Sequence, residues 1–153
     1  MEAAKRYKAN LSVILFDLDD FKVINDSFGH PNGDVVLMTV SRLLQENLRR
    51  IDIVGRLGGE EFMVIMPHTS SESAFLVAER IRKAVQEWSF TFFDHKISVT
   101  LSGGLATYPA PGISGKNDFL KVIDQALYQA KRSGKNRTVK WQKVKENQKL
   151  ATA

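Results

Sequence analysis

The central part of the chain carries the sequence RLGGEEF at residues 56–62, between apolar runs at 54–57 and 62–66. The Gly-Gly pair predicts a tight hairpin, because glycine accepts the positive φ that primed turns require. Two carboxylates, Glu60 and Glu61, follow the turn directly, although adjacent acids repel each other. In isolation this pattern is typical of a solvated turn with two surface acids. A second acidic cluster elsewhere in the chain favours a binding site instead.

That second cluster, Asp17-Leu18-Asp19-Asp20, follows the apolar run LSVILF at residues 11–16. A near-continuous apolar run is typical of a strand that is buried on both faces. Acids at the end of such a strand lie where sheets of α/β type bind their ligands. We therefore expect Asp17 and Glu60 to lie close together at the edge of one sheet.

Hydrophobic periodicity predicts helices at residues 21–26, 34–49, 71–88 and 118–132, a loop at 27–33, and strands at 90–93, 97–107 and 137–141. Asp34 is a candidate N-cap of the second helix. The strands at 90–93 and 97–107 are expected to form a second hairpin, with Gly103 weakening the packing of the longer strand. Hairpins mixed with crossover helices predict an α+β fold, with a mainly antiparallel central sheet flanked by helices. Residues 1–141 are predicted to form one domain and 142–153 a flexible tail.

The composition is that of a soluble globular protein, with 153 residues, 43% hydrophobic and 25% charged. No apolar run approaches the roughly 20 residues that span a bilayer, and the first ten residues lack a secretion signal. We expect a cytoplasmic protein with no membrane insertion by this segment. The absence of cysteine excludes disulfides, thiolate metal sites and cysteine nucleophiles. A net charge of +5 is compatible with nucleic acid, anionic lipid or a polyphosphate ligand. Because basic and aromatic residues do not interleave, we expect no nucleic-acid partner.

The acidic motifs contain neither histidine nor cysteine, which suits a hard cation such as Mg²⁺. Magnesium uses only one or two protein carboxylates and completes its shell with phosphate oxygens and water. The pattern therefore predicts a nucleoside triphosphate site at Asp17 and Glu60. Lys131 and Lys135, predicted to lie one helical turn apart, are candidates to neutralise the phosphates. The alternative for both lysines is a solvated helix end, where cations favour the helix dipole.

Three separated motifs together resemble the GGDEF family of diguanylate cyclases: FDLDDFKVINDSFGHPNGD at 16–34, GGEEF at 58–62, and YQAK at 128–131 with SGKN at 133–136. Several motifs in the right order and spacing are more specific than one. The resemblance implies a ferredoxin-like fold, similar to the polymerase palm and the class III nucleotide cyclases. It implies that two GTP condense to cyclic di-GMP with loss of two pyrophosphates, in a homodimer whose subunits each hold one GTP.

The resemblance also implies site roles. Asp17, Glu60 and the carbonyl of Leu18 correspond to ligands of Mg²⁺ or Mn²⁺, two ions per active site when substrate is bound. Glu60 also corresponds to the group that helps to deprotonate the ribose 3′-OH, and Glu61 lies close to the metals. The implied substrate contacts are Asn25, His30, Asp34, Lys131 and Lys135. The turn at Gly58 and Gly59 can also donate backbone amides to the phosphates.

The chemistry of guanine agrees with an acid at position 34. An ionised carboxylate only accepts hydrogen bonds, and guanine offers two adjacent donors where adenine offers no such pair. The alternative for Asp34 is the helix N-cap, which is compatible with guanine recognition. For His30, packing within a loop is as good an interpretation as ligand contact.

An Arg-x-x-Asp pattern at Arg49 and Asp52, five residues before Gly58, resembles the family's inhibitory site for the product, with Arg80 as a further contact. Arginine can donate two hydrogen bonds to guanine O6 and N7. The alternative is an i,i+3 ion pair at a helix end. The spacing favours inhibition.

The chain departs from the family pattern in lacking the usual Asp-x-Leu-Thr-Gly-Leu-x-Asn segment before the first strand. Lys135 also stands where the family often has arginine, so the bidentate fork is lost. We expect an upstream sensory domain in the full-length protein. The rival hypothesis is a catalytically silent module that binds GTP or cyclic di-GMP. The retention of both Glu60 and Glu61 favours the enzyme.

Overall fold

The computed structural model describes residues 9–142. Its helices and strands follow one another as β1 (Leu11–Leu18), α1 (Phe21–Phe28), α2 (His30–Glu46), β2 (Ile53–Gly58), β3 (Glu61–Pro67), α3 (Ser71–Glu87), β4 (Ser89–Phe92), β5 (His95–Ser98), β6 (Leu101–Tyr108), α4 (Lys116–Arg132) and β7 (Thr138–Lys140).

Within these residues, one five-stranded sheet has the strand order β2-β3-β1-β6-β7. The central strand, β1, pairs antiparallel with β3 and with β6, and β7 pairs parallel with β6. A separate two-stranded hairpin is formed by β4 and β5. The sheet is mixed and mostly antiparallel, which confirms the predicted α+β fold.

Helices cover both faces of β1, which explains its almost unbroken apolar sequence. Ile14, Phe16 and Leu18 belong to a large core that also includes apolar residues of α1, α2 and α3. Val13 and Leu15 point to the opposite face and pack against α4 in a smaller core. Because side chains alternate along a strand, Asp17 lies on the α4 face.

Helix α4 lies unusually close to the sheet at Gly104. A Cβ atom at this position would lie 2.3 Å from the backbone nitrogen of Leu127 and 2.4 Å from the carbonyl oxygen of Ile123. Only glycine permits this approach. The close packing fixes the helix that carries Lys131 against the strand next to β1.

Two predictions near Asp34 are wrong. The predicted loop at 27–33 contains the last turn of α1 and the first turn of α2, and α2 begins at His30. Pro31 lies in that first turn, where its missing N–H costs nothing. Asp34 therefore lies inside the helix and is not its N-cap; Gly29, at φ +83°, occupies that position.

The predicted strand at 97–107 is two strands of different sheets. Val99 and Thr100 separate β5 from β6, so the partner of β4 is β5 alone. The expected weakness at Gly103 is also wrong. A Cβ there would lie 2.9 Å from the ring of Phe16, so Gly103 makes room for a buried aromatic side chain.

The chain leaves α4 at Arg132 and turns sharply, with Gly134 at φ +112° and Lys135 at φ +60°. The prediction that Lys131 and Lys135 lie one turn apart on a helix is therefore wrong.

None of the helices in residues 9–142 has the length and apolar character needed to cross a bilayer. All but the first residue of the predicted tail, 142–153, lies outside the described residues.

Candidate active site

The glycine hairpin is as tight as the sequence predicts. Gly58 pairs with Glu61, so the turn that joins β2 to β3 consists of Gly59 and Glu60. Gly59 has φ +52°, which a residue with a Cβ adopts only at a cost. The Nε atom of Arg56 donates a hydrogen bond of 2.8 Å to the carbonyl oxygen of Gly59 and so ties the turn to β2.

The two acidic motifs meet at one edge of the sheet. Asp17 lies directly opposite Glu61 in the β1–β3 register, and the backbone N–H of Leu18 donates to the carbonyl oxygen of Glu60 at 3.2 Å. Strand alternation directs Asp17 and Glu61 to the α4 face, whereas Glu60 occupies the turn itself. Glu61, rather than Glu60, is therefore the cross-strand neighbour of Asp17.

Glu61 lies partly buried among other carboxylates at this edge. Burial raises the pKa of Glu61, and the nearby carboxylates of Asp17, Asp124 and Glu60 raise this pKa further. Within residues 9–142, no three His, Cys, Asp or Glu side chains converge into a complete metal cage. One or two carboxylates with a backbone carbonyl nevertheless match what magnesium takes from a protein. The donors present therefore fit a Mg²⁺-type ion.

Lys131 brings a positive charge into the same cluster. Its Nζ atom donates to Asp17 Oδ1 and lies 3.3 Å from the Leu18 carbonyl oxygen and 3.0 Å from Asp19 Oδ1. Burial alone would lower the pKa of Lys131, but the hydrogen bonds to Asp17 and Asp19 outweigh it and the pKa is raised. Lys135 lies apart from this contact and pairs with Asp20 at 2.6 Å.

Asp19 is an anchoring residue to which the sequence analysis assigned no role. Its side chain is only 3% exposed and accepts 2.7 Å hydrogen bonds from the hydroxyls of Thr100 and Ser102. The backbone N–H of Asn136 donates to it at 3.0 Å. Burial acts to raise the pKa of Asp19, but these bonds outweigh it and the pKa is lowered. In the sequence, the signal that could have indicated a role for Asp19 is its position two residues after Asp17 in the same acidic cluster.

The expected guanine contacts lie on α1 and α2. Asn25 belongs to α1, and its buried Oδ1 atom has no hydrogen-bond partner among the described residues. Gly33 lies directly against it, since a Cβ at Gly33 would lie 1.9 Å from that oxygen. Asp34 lines a cavity of about 520 Å³ whose wall includes Leu37. His30 is the exposed first residue of α2.

The Arg-x-x-Asp residues form a closed ion pair. Arg49 Nη2 lies 3.0 Å from Asp52 Oδ1, the Arg49 backbone N–H donates to the same carboxylate, and the Asp52 side chain is only 1% exposed. Arg49 also donates to the hydroxyl of Thr69 at 2.5 Å. Arg80 donates to the Asn47 carbonyl oxygen at 2.7 Å, which caps the end of α2. The geometry is therefore that of the ion-pair alternative, with Arg49 half-exposed.

Comparison with known proteins identifies the family to which the chain belongs. The family model for the GGDEF domain of diguanylate cyclases matches residues 1–137. Diguanylate cyclase A of Treponema denticola is 43% identical over 130 residues, which are 85% of this chain and 35% of that protein. The chain spans less than half the length of the curated relatives that it matches.

Two solved structures are similar along nearly the whole chain. The active GGEEF domain of a diguanylate cyclase from Vibrio cholerae has a TM-score of 0.85 and 39% identity, covering 92% of this chain and 88% of that one. The GGDEF domain of DgcB from Caulobacter crescentus, in complex with c-di-GMP, has a TM-score of 0.85 and 30% identity, covering 91% and 82%. The chain therefore belongs to the GGDEF-domain family of diguanylate cyclases.

Proposed function

We propose that this domain condenses two GTP into cyclic di-GMP with release of pyrophosphate, in a Mg²⁺- or Mn²⁺-dependent reaction. The observation that carries the proposal is the meeting of the two acidic motifs, with Asp17 opposite Glu61 and Leu18 hydrogen-bonded to Glu60. This edge combines carboxylates, a carbonyl and two lysines, which is the donor set that a metal-bound triphosphate needs.

Asp17, Glu60 and the Leu18 carbonyl would hold the divalent ions, with Glu61 beside them. A divalent ion held by these residues would supply positive charge that favours deprotonation of the ribose 3′-OH and departure of pyrophosphate. Glu60 accepts the proton of the 3′-OH. Lys131 and Lys135 bind phosphate oxygens as point charges, and the glycine turn leaves room for its backbone amides to do the same.

Guanine selectivity is assigned to Asn25 and Asp34, with His30 near the sugar and base. Asp34 accepts hydrogen bonds from N1–H and the N2 amino group, a donor pair that adenine lacks. The cavity beside Asp34, with Leu37 and Phe62 in its wall, offers the apolar surface that a planar base requires. Gly33 allows α2 to pack against Asn25.

Incubation of the protein with GTP and Mg²⁺ or Mn²⁺, followed by chromatography, tests the activity directly. The parent should form cyclic di-GMP, and Asp17→Ala or Glu60→Ala should abolish its formation, because each removes a proposed metal ligand. Asp124→Ala, which removes a neighbouring acid outside the proposed metal site, is the matched control and should retain turnover.

Full turnover in the Asp17 and Glu60 variants would refute the metal assignment. GTP binding by the parent without any product would instead support the rival, a silent sensor module.

We propose a cytoplasmic domain regulated by an upstream sensory domain, because the curated relatives extend well beyond the matched segment.

We also propose product inhibition at Arg49 and Asp52, with Arg80 assisting. Arg49 is half-exposed, and its Nη1 atom faces no partner within residues 9–142, so it can donate to guanine O6 or N7. Arg49→Ala should weaken cyclic di-GMP binding at least about tenfold in calorimetry. Arg50→Ala, at the adjacent exposed arginine, is the control. An affinity equal to that of the control would leave Arg49 and Asp52 as a structural ion pair.

A further inference from the structure

We infer that Lys131 competes with a divalent cation for Asp17 and Leu18, and that Asp19 is the second anchor that retains Lys131 when the cation takes Asp17. The inference rests on the proposed metal role of Asp17 and deepens it. It assigns to Lys131 a control of cation affinity in addition to the proposed phosphate contact.

The contact geometry is the first support. The ammonium of Lys131 touches the Asp17 carboxylate and lies 3.3 Å from the Leu18 carbonyl oxygen. These two groups are two of the three proposed ligands of the cation. An ammonium and a divalent cation on the same carboxylate repel each other strongly at such short range. Occupation of Asp17 by one therefore disfavours the other.

The two acids that bind Lys131 differ in exposure, and this difference determines which of them the cation takes and which stays with Lys131. Asp17 has a side chain that is 20% exposed, whereas Asp19 is 3% exposed. Asp19 is also held by the hydroxyls of Thr100 and Ser102 and by the N–H of Asn136. Asp17 is consequently the accessible ligand, and Asp19 is the rigid one that stays with Lys131.

The arrangement couples the cation to the nucleotide. A cation that arrives alone displaces the charge-assisted hydrogen bond between Lys131 and Asp17, and the proposed protein ligands leave most of its coordination shell to water. Phosphate oxygens offer Lys131 a new acceptor, so a nucleotide that arrives with the cation offsets the loss. Because coupling is reciprocal, the nucleotide should tighten cation binding as much as the cation tightens nucleotide binding.

Mn²⁺ titration of nucleotide-free protein, followed by electron paramagnetic resonance, tests the competition without any turnover. Lys131→Met should bind Mn²⁺ on the order of tenfold more tightly than the parent. Arg132→Met is the matched control, since it removes one positive charge from the neighbouring position of α4 but its guanidinium contacts Tyr128 rather than Asp17. It should leave the affinity within about twofold of the parent.

Lys131→Gln, which keeps a hydrogen-bond donor while losing the charge, guards against misfolding of the methionine variant and should also bind Mn²⁺ more tightly. Equal Mn²⁺ affinity in the Lys131 and Arg132 variants would overturn the competition. The double variant Lys131→Met with Asp17→Asn separates the two proposals: loss of Mn²⁺ binding supports the metal role of Asp17. Retention of binding would remove that role and the competition with it.

Discussion

Three hydrogen-bond donors and one ammonium converge on the carboxylate of Asp19. A buried charge is tolerated only when it is paired and fully hydrogen-bonded, and Asp19 meets both conditions. The loop after α4 and the helix itself are thereby joined to the end of β1. A single residue thus holds together the segments that supply both proposed phosphate-binding lysines.

Asp19→Asn should lower the free energy of unfolding by roughly 2 kcal/mol at pH 7, because the neutral amide removes the charged acceptor of the bonds from Thr100, Ser102 and Asn136. The folded-state pKa of Asp19 is lowered, so its stabilisation is present above the unfolded value of about 3.9 and is lost as pH falls through the folded pKa. Urea unfolding at pH 7 and pH 3 should show the difference shrink. Asp20→Asn, on a 61% exposed acid, should cost less than about 1 kcal/mol. Equal costs would contradict the anchoring role.

Among the secondary-structure elements, α4 determines the geometry of the candidate site. Its apolar face packs on β1 and β6, and its last turn carries Lys131 to the acids. Gly104 sets the distance between helix and sheet, because any side chain there would overlap the helix backbone. Backbone atoms cannot rotate away as the end of a side chain can.

Gly104→Ala should therefore lower the free energy of unfolding by about 3 kcal/mol or more, at the upper end of the range for overpacking. Gly103→Ala meets side chains, the Phe16 ring at 2.9 Å and the Thr138 hydroxyl at 3.4 Å, rather than backbone, and should cost less. Gly55→Ala, on the edge strand β2 with no atom within 4 Å of the added Cβ, is the control and should be nearly neutral. Chemical denaturation of the three variants checks this order. A neutral Gly104 variant would show that α4 can move away from the sheet.

At the scale of the whole molecule, the proposed metal-binding acids and phosphate-binding lysines lie at one edge of the sheet, so each domain forms one proposed half-site. Condensation of two GTP needs a nucleophile from one nucleotide and an electrophile from the other. If each half-site holds one GTP, as we propose, the reaction requires two domains that face each other.

While dimers are scarce, the initial rate should rise with the square of protein concentration, since each active species contains two chains. Chromatographic rates and sedimentation, measured over the same concentration series, check this dependence. Glu60→Ala serves as a blank at every concentration. A rate proportional to concentration in a range where sedimentation finds only monomer would contradict catalysis across a dimer.

The sequence predicted the elements that depend on local properties. Near-continuous apolar runs predicted β1 and β3, helical periodicity predicted α3 and α4, and the positive-φ requirement predicted the turn at Gly59. The start of α2 was mispredicted, because Pro31 was read as part of a loop although it suits the first turn of a helix. The break at Val99 and Thr100 was also missed, since both residues favour strands and only pairing assigns them to different sheets.

By itself, the sequence determined which residue types stand at the strand ends and in the turn, because backbone preference and side-chain chemistry are local. The tertiary structure alone decided which of these residues meet. Strand register placed Glu61 rather than Glu60 opposite Asp17, and helix packing brought Lys131 to Asp17, 114 positions away in the chain. Such contacts depend on pairing and packing between distant segments, which no local pattern encodes.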